Sequence, residues 1–264
     1  MAHSRIRARV AGQSAMSLVV HAQSLLSPRG AIARFFGVDP LSAEAREHYS
    51  GALGELLVGD VLENLGPSWD VLHDVPLGGS VLDHLLIGRP GVYSVRAVNY
   101  GREDVMIDGD GLTVSGDPRD DIDCARRQAD QVSDLLGAAA DRTVEVTPLL
   151  VVVDPRRLIV AAAPSDVRVI ASRELQDELS RAIPTLSGDE VARLSDIADR
   201  TTTWPAGDAV DLDTLQLNRD FGVIRVEVRD ALTRRIAWLG AATLVLYSTV
   251  CTLIATLVTM LMGN

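Results

Sequence analysis

The stretch VLDHLLIGRPGVYSVRAVNY, Val81 to Tyr100, concentrates the side chains able to do chemistry. It reads as two short strands joined by an Arg-Pro-Gly turn, with Asp83 on the first and Arg96 and Asn99 on and just beyond the second. Asp83 is a carboxylate of the kind that holds a hard cation through oxygen. Alternation sends neighbouring strand residues to opposite faces, so His84 points away from Asp83 and reads as a core or surface histidine rather than a general base. His73 stands alone and calls for no role. Upstream, Glu55 interrupts the apolar face of a helix and is either a margin residue or a group aimed at a pocket. Downstream, Glu103 and Asp104 are carboxylates that a loop could bring back toward Asp83.

Composition removes several alternatives. The chain of 264 residues contains no lysine, so all 25 of its basic side chains are arginine and amine chemistry from a side chain is excluded. A net charge of −11 argues against a general nucleic-acid coat, which depends on clustered positive charge, and leaves room only for a local basic patch. The two cysteines, Cys124 and Cys251, lie far apart in the chain, which suggests neither a disulfide framework nor a zinc site. With 47% apolar residues the chain must bury a core.

The elements that must position these residues follow from periodicity. A helix is expected over Ser42 to Leu65, with Leu53, Leu56, Leu57, Val61 and Leu65 near helical spacing. Strands follow at WDVLHDVPL, Val81 to Ile87, Gly91 to Val98 and DVMIDGDGLTV, whose Asp-Gly pairs mark a hairpin turn. Asp117 before Pro118 reads as a helix start, and the amphipathic segment continues to Ala140. VEVTPLLVVVD is a nearly continuous apolar strand, as expected for one covered on both faces. A short strand at Val167 to Ile170 leads into a helix from Ser172, and SGDE at Ser187 to Glu190 matches a capping box. The expected fold is a mixed α/β sheet flanked by helices.

At this point the residues resemble a known family, the nuclease-related domain or NERD, a branch of the PD-(D/E)xK nuclease superfamily. GALGELLVGDVLENL is similar to its opening Gly-x-x-Gly-Glu helix, WDVLHDVPL to its first strand, and LDHLLIGRPGVYSV to its Asp-His strand and glycine turn. The resemblance implies a restriction-endonuclease-like fold in which Glu55 and Asp83 point into one pocket. In active relatives a Glu-x-Lys on the next strand completes that pocket, the carboxylates hold Mg²⁺, and the lysine positions or activates water. Here the corresponding IETKNY pattern reads VRAVNY, so Arg96 stands in place of the Glu and Val98 in place of the Lys. A fixed cation there would repel a metal and pair with Asp83 or Glu55. The expectation is a pocket with no catalytic residue and no cofactor, in which Arg96 and Asn99 are the binding candidates. If the site is active after all, Glu55 and Asp83 hold Mg²⁺.

The chain divides into a basic N-terminal segment (1–41), the NERD-like domain (42–200), a linker and juxtamembrane segment (201–235) and a membrane span (236–262). The first segment reads as an amphipathic helix on an anionic leaflet or a partner, or as a plain surface helix. FGVIRVEVRDALTRR, before the span, fits a strand or a helix. From Ile236 to Met262 no residue is charged, a run longer than the roughly 20 residues needed to cross the hydrocarbon core. Arg225, Arg229, Arg234 and Arg235 precede it and only two residues follow, which predicts a tail-anchored protein with its body on the cytoplasmic side of the plasma membrane. Gly240, Ala241 and Ala242 form a patch that a partner helix could approach closely. Three functions fit these features: a membrane-tethered binding or scaffolding module for a protein or a nucleic acid, a divergent Mg²⁺-dependent nuclease, and a structural subunit of a membrane complex.

Overall fold

The computed structural model describes residues 5–27, 29–205 and 213–262. Its centre is a five-stranded mixed sheet in the order β1-β2-β3-β7-β9, built from Trp69–Pro76, Val81–Gly88, Gly91–Val98, Val146–Val152 and Arg168–Ala171. β1, β2 and β3 form an antiparallel meander, and β7 and β9 continue it in parallel. The excursion between β3 and β7 makes a second sheet, in the order β6-β5-β4-β8, from Asp104–Asp108 (β4), Gly111–Val114 (β5), Asp117–Arg119 (β6) and Arg157–Ala162 (β8). The expected mixed sheet flanked by helices is therefore present, joined by a second smaller one.

Helix α3 (Ala43–Glu63) starts where expected because the Ser42 side chain accepts the Ala45 N–H. It packs with α5 (Leu175–Arg181) on one face of the large sheet, burying Val58, Leu62, Leu175 and Leu179 against Leu86, Tyr93, Val95 and Ala97. Helices α4 (Asp121–Ala140) and α6 (Gly188–Asp199) cover the other face through Val132, Leu136, Leu194 and Ala198. The capping box at α6 forms as read, with Ser187 and Glu190 bonding each other's backbone N–H. The start expected at Asp117 is moved: Asp117 to Arg119 pair with β5 as a short strand, and α4 begins at Asp121. Extending the helix back through Pro118 would break that third strand from its sheet.

The N-terminal segment lies against the body. Helix α1 (Gln13–Ser24) buries Met16, Val19 and Ala22 in a core shared with Ala45 and Ala52 of α3 and with Leu217 and Phe221 of α7 (Thr214–Met262). Its apolar face is thus used within the molecule. FGVIRVEVRDALTRR is helical, and α7 runs without a break from the body into the charge-free segment. Asp213 opens it by accepting the N–H groups of Leu215 and Gln216. Part of the expected linker, 206–212, lies outside the described residues. The short helix α2 (Ala31–Phe36) docks on α7, and Gly37 after it is left-handed at φ +69°, where a Cβ would run into the Ala231 carbonyl.

Candidate functional site

The cluster forms where β2 and β3 separate. Their ladder is regular down to the His84–Val95 pair. One step further, the Asp83 carboxylate takes the Ala97 N–H at 2.7 Å, so a side chain replaces a ladder bond and the strands part. Asp83 is buried, and burial raises its pKa to about 6 against the pull of the Arg96 charge and the Ala97 N–H. Glu55 reaches the same place from α3. Burial pushes its pKa up to about 9, with Asp83 and then Asp74 adding like charge and Arg96 opposing. Near neutral pH, Asp83 is therefore the ionised member of the pair and Glu55 the protonated one.

Arg96 is half-buried and on the α4 side of β3, since Tyr93, Val95 and Ala97 pack toward α3 while Val98 packs with Ile122 and Ala125 of α4. The expected direct partners, Asp83 and Glu55, are not the ones it bonds. Its Nε and Nη2 donate to one oxygen of Asp121 at 3.1 and 2.9 Å, and the Tyr100 hydroxyl donates to the other at 2.5 Å. Asp121 is the first residue of α4, where a carboxylate is also favoured by the helix dipole. Burial works against the Arg96 charge, but Asp83 and Asp121 more than offset it and raise its pKa further. The guanidinium is thus bonded to Asp121 and attracted by Asp83.

Asn99 has turned to local structure: its side-chain oxygen accepts the Gly101 N–H at 3.0 Å, and its Cβ lies against Gly54 of α3. The downstream acids are engaged elsewhere. Asp104 is clamped by Arg156 and Arg157, whose hydrogen bonds hold its carboxyl well below the usual range, and Glu103 accepts the Ser115 hydroxyl at 2.6 Å. His73 does have a partner, contrary to expectation: the register that sets it opposite His84 brings their Nδ1 atoms to 2.8 Å in the core. His73 Nε2 lies 3.4 Å from Glu63. Between the two Nδ1 atoms one ring donates and the other accepts, and burial keeps both rings below the ordinary histidine pKa.

Sequence reasoning misses Asp74, fully buried and left-handed at φ +54°. It accepts Arg9 Nε at 3.0 Å and the Ser14 N–H and hydroxyl at 2.8 and 3.0 Å. These bonds draw the N-terminal segment across the pocket. Gly12, at φ +67°, backs onto Glu55, and a Cβ placed there would sit 3.6 Å from the Glu55 Cβ. The only local signal is the polar run of His73 and Asp74 in a strand otherwise reading as core.

A magnesium ion asks for an octahedron of oxygens with at least one or two free carboxylates. Here one Asp83 oxygen holds Ala97, and Arg96 supplies a positive charge beside Asp83. Among the described residues no group of three or more acidic, histidine or cysteine side chains is arranged to hold a metal. The donor set does not fit the ion.

Comparison of the sequence with family models matches residues 50–153 to the nuclease-related domain. No curated protein and no solved structure matches the chain. The matched segment runs from the Gly-x-x-Gly-Glu helix through β7 and contains Glu55, Asp83, Arg96 and Asp121, so the cluster just described lies within the part of the chain that matches the nuclease-related (NERD) domain.

Proposed function

We propose that the chain is a membrane-anchored, catalytically silent NERD domain that serves as a binding or scaffolding module at the cytoplasmic face of the plasma membrane. The observation that carries this reading is Arg96: its guanidinium, fixed by Asp121, supplies in permanent form the positive charge that a divalent ion would bring to Asp83 and Glu55. The pocket is held together by a side chain, and the N-terminal strap over Glu55 closes it further.

The anchor is α7, one helix long and apolar enough to cross a membrane. Four arginines before its charge-free part favour a cytoplasmic body. A protein partner in or at the membrane fits the acidic surface better than a nucleic acid does, and the open space around Gly240 leaves room for a partner helix.

The test is DNA cleavage by the full chain in detergent with Mg²⁺ or Mn²⁺, on supercoiled and linear substrates, wild type beside Asp83→Ala. No cleavage by either is the expected result. Metal-dependent cleavage that vanishes in Asp83→Ala would overturn the proposal and make the domain a divergent nuclease.

A further inference from the structure

One group of exposed apolar side chains of the body lies on α2. Ile32, Phe35 and Phe36 are at least half exposed, in a helix of six residues that is nonetheless held in place by α7. Two side chains of α7 fix it by capping its last carbonyls: Arg234 Nη1 donates to the Arg34 oxygen and Trp238 Nε1 to the Phe35 oxygen, each at 2.9 Å. The Trp238 ring packs on Phe35 and Phe36 with centroids 5.0 and 5.3 Å away. Gly37 allows the close approach, since any side chain there would strike the α7 backbone.

Between α2 and α7 this docking leaves a cleft of about 620 Å³ lined by Arg29, Arg34, Phe35, Arg234, Ala237 and Trp238. Arg29 is answered by Glu227 at 3.0 Å, whereas Arg34 makes no ion pair among the described residues and Arg234 spends one nitrogen on a backbone carbonyl. The cleft therefore has positive charge left over, in a protein that is acidic overall. Its position is also specific. Arg234 and Arg235 are the last charged residues before the charge-free run, so the cleft lies at the level where that run enters a bilayer.

We infer that this cleft binds the phosphate headgroup of an anionic phospholipid in the leaflet that α7 enters from the body. Guanidinium groups match phosphate oxygens in pairs, the indole and phenyl rings belong at headgroup depth, and the exposed face of α2 gains cover from acyl chains. The inference rests on α7 being a span.

The full chain is purified in an uncharged detergent and offered phosphatidylglycerol or phosphatidylcholine, and the lipid retained is measured by native mass spectrometry. One phosphatidylglycerol per chain should be kept over phosphatidylcholine, with retention falling about tenfold or more in Arg34→Gln/Arg234→Gln. Arg34→Gln alone serves if the double variant does not fold, because that guanidinium supports no contact in the body. Equal retention of the two lipids, or unchanged retention by the variants, overturns the proposal. So does release of the lipid by millimolar glycerol phosphate, which would make a soluble phosphate the ligand. Carbonate extraction of membranes is run in parallel: release of wild type would refute the span itself, whereas wild type and variants that stay in the membrane leave lipid retention to decide for or against the cleft.

Discussion

Replacing Glu55 by Gln removes a titration that the fold must otherwise accommodate. The carboxyl ionises near 4.5 in an unfolded chain and near 9 in the native pocket, so the native state holds the proton more tightly. The resulting stabilisation is complete below pH 4.5 and is lost as pH rises through 9. At pH 7 the cost to wild type, relative to a side chain that never ionises, follows from about 2.5 pH units at 1.36 kcal/mol each, or about 3 kcal/mol. Gln is nearly the same shape and is always neutral. Glu55→Gln should therefore melt with wild type near pH 4.5 and above it at pH 7, by ~6–12 °C for a body of this size. His73 and His84 act with the opposite sign, being neutral in the core and losing their stabilisation as pH falls below 6.5, and they cancel in the comparison. Differential scanning fluorimetry of the full chain in detergent across pH 4.5 to 9 measures the difference. Parallel curves for the two proteins, or a Gln variant that is less stable at pH 8, would mean that Glu55 is ionised in the native state and bound by Arg96 or a metal.

Two further perturbations address the same cluster. Asp121→Asn leaves one good acceptor where Arg96 and Tyr100 now share two, and should cost about 1.5–3 kcal/mol in urea unfolding at pH 7; an unchanged midpoint would show that the bridge contributes nothing. Arg96→Glu places a carboxylate where the resemblance implies one, and the variant should gain a saturable rise in melting temperature with Mn²⁺ that wild type lacks, about 2.7 kcal/mol at a hundredfold excess over its Kd. A comparable rise in wild type would show that the present pocket already takes a metal.

The parts of this fold legible in the sequence are those set by local pattern. The charge-free run after Arg235, the Ser42 and Ser187 caps, and the Arg-Pro-Gly turn each announce themselves within a few residues. What escapes depends on chain segments brought together from afar. Analogy of position pairs Arg96 with Asp83 and Glu55, but its actual acceptor comes from α4, 25 residues on, and exists only because β6 delays the start of that helix. His73 gains its partner from strand register, which no spacing in the sequence encodes. Asp74 belongs to the N-terminal segment as much as to β1, and nothing near either one points to the other. Strand β8 is hidden for a different reason: RLIVAA lacks alternation, and its mostly exposed residues are held by pairing with β4 and by Leu158 against the core.

The continuity of α7 has a mechanical meaning. Phe221 is clamped in the body and Trp238 stands at the start of the charge-free run, so 17 residues of uninterrupted helix, about 25 Å, separate the two. The domain is mounted on a stiff mast and cannot swivel freely as it would on a tether. The distance of the cluster from the charge-free run and the side it presents are set by helix length and phase, so inserting a single residue between Ala231 and Trp238 would turn the whole head by about 100° relative to that run. α1 also touches both the mast and α3, so any rotation of α7 works directly on the strap over Glu55.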